Sequence, residues 1–589
     1  MSLNPLIRKG YQERLRTKQL VAWGLFTLIL TSFVYMTSYL EGRDVRGYYD
    51  YHLEEWVEME PSDTNGARTA FPFLLATQGF LLLFLGTGRV AAGTAEERET
   101  GLLDYQRMTP MSPFGKITGY LFGLPGREYF MFALTLPFLL HAVVVGEISA
   151  GKTLHLYAVF FSCVLLYHLT AHATGLVVSK PRAASWVSRM VVLGLYVVLP
   201  ALGQAGFSFL SFLTLMPTYF GLMSEELKPV SRGGQEYGYS PWTETAEFWR
   251  EVTFFDLVLS PSLFTVLMQG LLLAALFTTA HRKWRNETIP AFSKPFGIGF
   301  FVVLQVLLLG CLWQYFGEGR ASGLLGTAFT TENLQQVEHL HHQEMSPEQA
   351  NAIAKAQVYY HRQETSLTFA LVQTILFTLS LFAALLILHV TCPTRHQYLK
   401  GKRRAAKLGL HTIPVLADEK PGWPMTAALL ALMPITHFAL LAKAGESGLF
   451  FRVAPGPEAY VLPCLLFGAV LVYLRAARES WLNVGFWGFI GLLWVTPLLI
   501  GMVLAVGWKT EAADSILYVV SFSPPAAFYL SFVHAHEIDF GPFEDSVENA
   551  SYTGVIVACA IAGWLAFSQF RRRLSWDERE NELAAKRDS

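Results

Sequence analysis

The chain has 589 residues, of which 52% are hydrophobic and 15% are charged, and its net charge is −1. Soluble domains carry roughly 25% charged residues, and the mean hydropathy here is +0.35. The charges cluster in short segments between long apolar runs, which excludes an ordinary soluble or secreted protein. The net charge gives no indication of a nucleic-acid partner.

The first predicted element is a short helix that precedes the first apolar run. Asn4 is a favourable N-cap and Pro5 suits a first helical turn, while Ile7, Tyr11 and Leu15 recur at four-residue spacing. This pattern predicts an amphipathic helix in the cytoplasmic interface over residues 1–19, and a basic topology anchor is a compatible interpretation. The residues assigned to this helix are Asn4, Pro5, Arg8, Lys9, Arg14 and Arg16.

Twelve apolar runs approach the length of about 20 residues that a helix needs to cross a bilayer. Two further apolar stretches, 211–224 and 516–533, are predicted to be re-entrant or interfacial. The twelve runs lie near 20–40, 71–93, 129–146, 154–178, 190–213, 258–280, 298–316, 367–390, 425–442, 458–474, 484–507 and 551–568.

Basic residues indicate the orientation of these runs. They are concentrated before the first run and in segments 281–295, 391–408 and 571–573, which fall on one side if there are twelve spans. The acidic segments 41–70 and 534–550 fall on the other side. Because positively charged loops stay in the cytoplasm, both termini of this multi-pass cell-membrane (inner or plasma membrane) protein are predicted to be cytoplasmic.

The two halves of the chain resemble each other in organisation. Each half holds six runs, and a Ser-Pro pair precedes the last run of each, at Ser260-Pro261 and Ser523-Pro524. The predicted fold is therefore all-α, a polytopic transmembrane helical bundle of about 12 spans in two six-helix repeats. The predicted divisions are a first domain at 20–295, a second, divergent domain at 296–570 and a cytoplasmic charged tail at 571–589.

The segment between the second and third runs is unusually acidic for a cytoplasmic loop. Leu102, Tyr105 and Met108 fall on one face of a short helix that Pro110 ends, and Ser112 starts the next helix. Such a helix is either a docking element for a soluble partner or a solvated loop helix, and the residue pattern alone does not separate the two. The candidate docking residues in helix 96–109 are Glu96, Glu97, Arg98, Glu99, Leu102, Asp104, Tyr105 and Met108.

Two motifs resemble the type-2 ABC exporter permeases (ABC-2 type). One is the opening Asn-Pro-x-x-x-Lys-x-x-x-Glu-Arg-x-Arg at 4–16, and the other is Glu-Arg-Glu-Thr-Gly-Leu-Leu-Asp followed by Thr-Pro-Met-Ser-Pro at 97–113. The resemblance is specific over 4–20 and 86–140 and architectural over 1–295. It implies an interfacial connecting helix, a coupling helix at 96–109 that inserts into a separate ATPase, and short re-entrant helices within 211–261.

Three weaker signals have simpler interpretations. Residues 146–153 fit the phosphate-loop pattern Gly-x4-Gly-Lys-Thr, but such a loop follows a buried strand in a soluble domain. His168 and His172 have a spacing that can bind metal, and helix–helix hydrogen bonding is the alternative. The histidine-containing loops 339–344 and 534–537 are either surface metal sites or solvated polar loops.

Three functions are compatible with the sequence. The chain is the permease subunit of an ABC exporter, a non-transporting scaffold of the same ancestry, or an ion-coupled secondary carrier. The resemblance implies that the chain is not itself an enzyme and binds no cofactor, since a cytoplasmic ABC ATPase subunit would hold ATP and Mg²⁺. The other expected partners are the lipid bilayer and either a second copy of the chain or the chain's own second half, as a pseudo-dimer.

Overall fold

The computed structural model is mostly helical and divides into two compact units, Met1–Glu287 and Thr288–Ser589. The described residues are 4–44, 47–50, 55–58, 61–178, 180–204, 208–228, 249–255, 257–285, 289–313, 347–391, 393, 395–420, 423–446, 492, 494–504, 513–535, 545–557, 560, 564 and 567. The predicted span 458–474, the tail 571–589 and the histidine loop 339–344 lie outside them.

Over the residues that the structure describes, the first unit consists of helices and two short hairpins. Its helices are α1 (Pro5–Arg14), α2 (Thr17–Arg43), α3 (Asp63–Gly79), α4 (Thr87–Glu99), α5 (Leu102–Met108), α6 (Pro113–Gly123), α7 (Gly126–Val145), α8 (Ala150–Val177), α9 (Pro181–Gln204), α10 (Ser208–Ser211), α11 (Met216–Met223) and α12 (Pro261–Arg285).

The core of the first unit forms where α3, α7 and α8 meet. Phe71 of α3 and Phe160 of α8 are fully buried, and the Phe132 and Phe160 rings stack with centroids 5.8 Å apart. Buried polar groups are paired across the same helices: Gln78 Nε2 donates to Thr135 Oγ1 at 2.8 Å. Such hydrogen bonds contribute to helix association in membranes. Apolar burial gives little driving force there, because lipid tails are as apolar as the side chains.

A π-helical segment, Phe80–Gly86, joins α3 to α4 without a break in the chain's helical course. The wider turn of a π-helix disturbs the regular backbone ladder, and His168 of α8 lies opposite, with Nε2 3.1 Å from the Leu82 carbonyl oxygen. Because a carbonyl only accepts, Nε2 carries a proton, and Nδ1 lies 3.3 Å from the Tyr129 hydroxyl. His168 therefore links three helical segments by hydrogen bonds.

Two antiparallel hairpins lie between helices of the first unit. In β1 (Gly47–Asp50) and β2 (Glu55–Glu58), Gly47 pairs with Glu58. In β3 (Val252–Phe254) and β4 (Leu257–Leu259), Val252 pairs with Leu259. The first hairpin occupies the acidic segment that the sequence predicts only as an outer loop.

The second unit is also helical over its described residues. Phe377 and Phe528 stack within it at 4.5 Å, and Gln305 Nε2 donates to Ser380 Oγ at 3.0 Å. Its helices include α13 (Lys294–Trp313), α14 (Pro347–Thr391), α15 (Arg395–Lys407), α16 (Trp423–Glu446), α17 (Trp494–Leu504), α18 (Ala513–Ser521) and α19 (Pro524–Ala535), and residues 545–557 are also helical.

Seven helices of the described part of the chain are long and apolar enough to cross a membrane, and a bent pair, Ser515–Ser521 with Pro524–His534, would make an eighth. These helices indicate a membrane-embedded protein. The bend of 119° falls at Ser523-Pro524, where proline lacks the amide that would continue a helix. The seven are Thr17–Arg43, Asp63–Glu99, Gly126–Val145, Ala150–Val177, Pro261–Arg285, Lys294–Trp313 and Phe369–Thr391.

Candidate functional site

The segment predicted as a docking helix, 96–109, comprises two helices in the structure. The last turn of α4 ends at Glu99, and α5 begins at Leu102. Between them Gly101 has φ +75°, in the left-handed region that glycine adopts without steric cost. A Cβ at this position would meet no other atom within 4 Å, so the backbone conformation rather than space favours glycine here.

The face of α5 that points away from the protein is apolar. Leu102, Tyr105 and Met108 are 45%, 66% and 79% exposed, whereas Leu103 on the opposite face is 2% exposed. A helix of this kind ordinarily buries its apolar side chains. We call Leu102, Tyr105 and Met108 the docking stripe.

Some charged residues of the segment are exposed, and others are held by contacts within the protein. Glu96, Glu99 and Asp104 are exposed, and Asp104 also pairs with Arg107 at 2.6 Å. Arg98 is half-buried and its Nη1 donates to the Val177 carbonyl at 2.8 Å, which ties the end of α4 to the end of α8. The exposed acids thus border the docking stripe, whereas Arg98 holds the end of α4, the helix that precedes α5, against α8.

Glu97 faces inward, with a side chain only 16% exposed. Its Oε1 lies 3.2 Å from Lys9 Nζ of α1. Its Oε2 accepts from Gln106 Nε2 of α5 at 2.8 Å and also from the Tyr120 hydroxyl of α6. Burial, and then the charge of Glu97, raise the pKa of Tyr120, which keeps the phenol a neutral donor. One carboxylate therefore joins four helices.

Lys116 of α6 closes the other end of α5. Its Nζ donates to the backbone carbonyls of Arg107 and Thr109 at 3.2 and 3.1 Å, where the last carbonyls of a helix favour a cation. Burial lowers the pKa of Lys116. Sequence reasoning assigned no role to Lys116, Gln106 or Tyr120, because their partners are set by the tertiary packing.

The predicted interfacial helix α1 is fastened to α6. Asn4 accepts from the Leu6 amide at its own N-terminus, as predicted, and its Nδ2 donates to the Gly115 carbonyl at 2.6 Å. Helix α1 begins at Pro5. A Cβ at Gly10 would overlap the Gly123 backbone, so the two helices touch closely. Arg8 and Arg16 are exposed, Lys9 is the residue that reaches Glu97, and Arg14 is the last residue of α1.

A second layer connects the docking region to the long helices. Trp284 Nε1 of α12 donates to His172 Nε2 of α8 at 3.0 Å, and His172 Nδ1 lies 3.1 Å from Thr94 Oγ1 of α4. The Tyr120 ring lies 5.0 Å from the ring of His172 and 5.6 Å from that of Trp284. Tyr120 thus touches both the Glu97 group and this aromatic layer.

The two histidines that could have formed a metal site have separate partners. His168 bonds the Leu82 carbonyl, and His172 bonds Trp284 and Thr94. The residues that the structure describes contain no group of three or more potential metal ligands. Helix–helix hydrogen bonding, the alternative interpretation, describes both side chains.

The phosphate-loop pattern at 146–153 lacks the structure that such a loop needs. Helix α7, not a strand, precedes it, and Ser149 caps α8 by accepting from the Lys152 amide. Lys152 Nζ pairs with Glu226 Oε1 at 2.9 Å. Although burial opposes it, bonding to Lys152 and the Ser149 amide lowers the pKa of Glu226. The lysine is therefore engaged in a structural ion pair.

Comparison with known proteins adds no relative: no family model, no curated protein and no solved structure matches the chain. The resemblance to type-2 ABC exporter permeases therefore stays a prediction from the residues at 4–20 and 86–140.

Proposed function

We propose that the chain is the membrane permease subunit of an ABC-type exporter and that α5 is the element that docks a separate cytoplasmic ATPase. The observation that carries the proposal is the docking stripe, a row of exposed apolar side chains on a helix whose other face is firmly held. Interface anchors of this type supply most of the binding energy in protein complexes.

The support beneath α5 is suited to the transmission of force. Glu97 bonds groups from α1, α5 and α6, and Lys116 bonds the end of α5. A load on the docking stripe would therefore move these helices together instead of bending α5 alone. In the proposed mechanism the ATPase binds and hydrolyses ATP with Mg²⁺, and the permease converts its closure into a rigid-body movement of the spans.

The exposed acids Glu96, Glu99 and Asp104 border the stripe and would act on a basic rim of the ATPase. Rim charges mainly affect encounter rate and orientation, so their contribution would fall with rising salt. Glu97 would not contact the ATPase, because its carboxylate already has partners within the chain. In the proposal it holds α5 to the neighbouring helices.

The proposal includes the finer features expected from the sequence. These are about twelve spans in two six-helix repeats, cytoplasmic termini, and a pathway completed either by a second copy or by the second half of the chain. The concentration of basic residues at 281–285, 400–407 and 571–573 supports the orientation.

Loss of the docking stripe tests the proposal. Leu102→Ala with Tyr105→Ala should weaken binding of the co-purified ATPase, identified by mass spectrometry, by about 30-fold, which is the effect of about 2 kcal/mol. The matched control is Leu257→Ala with Val258→Ala. These side chains are also exposed. They lie just before the N-terminus of α12, whereas Trp284 lies at its C-terminus, about 37 Å away along a 25-residue helix.

The outcomes separate the alternatives. Equal loss in both variants, or in neither, would contradict α5 as the docking element. A complex that needs the stripe but shows no substrate-dependent ATP turnover would be the non-transporting scaffold. Transport driven by an ion gradient without any ATPase would be the secondary carrier.

A further inference from the structure

Helix α15 is a basic helix that directly follows a candidate membrane span of the second unit. It begins at Arg395, four residues after the candidate span Phe369–Thr391 ends. It contains no acidic residue. With so short a connection, α15 must lie near the level of the lipid headgroups where that span leaves the hydrocarbon core.

The inner face of α15 is packed against the segment 411–420. Gln397, Gly401 and Ala405, spaced by four residues, are buried. A Cβ at Gly401 would overlap the Glu419 side chain and lie 3.2 Å from Ile413 Cδ1. The segment 411–420 is itself held by Lys294, whose Nζ donates to the Ala417 carbonyl.

These contacts fix α15 at the ends of two candidate spans. Lys294 is the first residue of α13, and Phe292 N donates to the Val390 carbonyl at 3.4 Å near the end of α14. The N-terminus of one span and the C-terminus of the other therefore lie side by side. The helix cannot turn its buried face outward without breaking this packing, so the opposite face is the one presented to its surroundings.

The outer face of α15 carries cations, and exposed apolar side chains follow the helix in the chain. Its exposed cations are Lys400, Arg403, Arg404 and Lys407. Arg404 lies 4.0 Å from Glu419, at the limit of an ion pair, and Asp418 and Glu419 are the half-buried acids of the adjoining segment. Four exposed large apolar residues follow α15 in the chain: Leu408, Leu410, Val415 and Leu416.

We propose that this face binds anionic phospholipid headgroups. Clustered lysine and arginine directly beside a span attract anionic lipids, and the neighbouring leucines and valine fit the boundary between headgroups and acyl chains. A soluble acidic protein would match the charges but not the four exposed aliphatic side chains that follow α15. The inference is independent of the ATPase-docking proposal, because it concerns another surface in the other unit.

The test uses the purified full-length protein in vesicles with a fluorophore on Ala406→Cys, an exposed position on the same helix. Phosphatidylglycerol or phosphatidylcholine carrying a doxyl quencher near the headgroup is added in turn. The wild-type surface should be half-quenched at an about tenfold lower fraction of the anionic lipid. Changing Lys400, Arg403, Arg404 and Lys407 all to Gln should abolish this preference.

The matched control keeps every charge: Lys400→Arg, Arg403→Lys, Arg404→Lys and Lys407→Arg together should retain the preference. If the Gln variant is misfolded, the wild type and this control still decide the matter. Equal quenching by both lipids, or a preference that survives in a folded Gln variant, would overturn the proposal. So would a label that neither lipid quenches and that a bound soluble protein shields.

Discussion

At the scale of single residues, His168 shows how one side chain supports an irregular backbone. It donates to a carbonyl of the π-helical segment and forms a hydrogen bond with the Tyr129 hydroxyl. A Cβ on Gly86 would lie 2.8 Å from His168 Nε2, so the close approach of the two helices depends on glycine at that point. The imidazole thus occupies the space and supplies the hydrogen bond that the segment needs.

His168→Leu should destabilise the protein by about 1–3 kcal/mol, because the Leu82 carbonyl and the Tyr129 hydroxyl lose a buried partner. Thermal unfolding in detergent measures the effect. The control is His155→Leu on the same helix, where the side chain is exposed and the change should be nearly neutral. If the two variants unfold at the same temperature, the support that we assign to His168 is not there.

Residue patterns predicted the exposed face of α5 but not the direction of Glu97. The stripe follows from helical periodicity within seven residues, which is local information. Glu97 turns inward because Lys9 and Tyr120 lie beneath it, and these residues are 88 and 23 positions away in the chain. Among consecutive acids, no local rule distinguishes the one that tertiary contacts select.

At the scale of elements, the boundary between α4 and α5 depends on Gly101. The sequence predicted one segment at 96–109, since its glycine could equally lie within a helix at modest cost. Pro110 and the Ser112-Pro113 pair gave the later boundaries correctly: α5 ends at Met108, and Ser112 caps α6 by accepting from the Gly115 amide. The hairpin at 47–58 was not predicted because its register depends on pairing between strands.

Gly101→Ala should destabilise the α4–α5 junction by about 1–2 kcal/mol, the cost of a left-handed backbone for a residue with a Cβ. Hydrogen exchange of the α5 amides should show the loss locally. Gly194→Ala is the control, since this glycine lies within α9 with no atom near the added Cβ, and alanine there should stabilise by about 0.5–1 kcal/mol. Unchanged exchange in α5 after Gly101→Ala would mean that the junction does not require the left-handed conformation.

At the scale of the whole molecule, the sequence predicted an all-helical membrane protein. The structure is mostly helical, with two short hairpins that were not predicted, and the seven candidate spans agree with a membrane-embedded protein. Hydropathy identifies spans because the bilayer requires a run of apolar residues. It gives no sharp count where runs are short or contain proline, as at Ser523-Pro524. The repeat and the twelve-span topology therefore stay predictions.

Topology is measured by labelling with a membrane-impermeant thiol reagent after the five native cysteines are replaced. Cysteines at Ala406 and Gly151, both exposed, should react from opposite sides, because positive loops place 400–407 in the cytoplasm and 146–153 outside. A cysteine at Gln12 should share the side of Ala406. Reaction of Ala406→Cys and Gly151→Cys from one side would rule out the twelve-span arrangement.

The helical course from Asp63 to Glu99 runs for 37 residues, about 55 Å at 1.5 Å per residue. This exceeds a hydrocarbon core of about 30 Å, so one end projects well beyond it. The 13 residues of α4 form an arm of about 20 Å beyond the π-helical segment. A pivot of about 10° there would sweep the tip by about 3 Å, an amplitude comparable with the helix shifts of known switching proteins. Because Arg98 bonds the end of α8 and Glu97 bonds α1, α5 and α6, a pivot at the π-helical segment would carry these helices with the tip of α4.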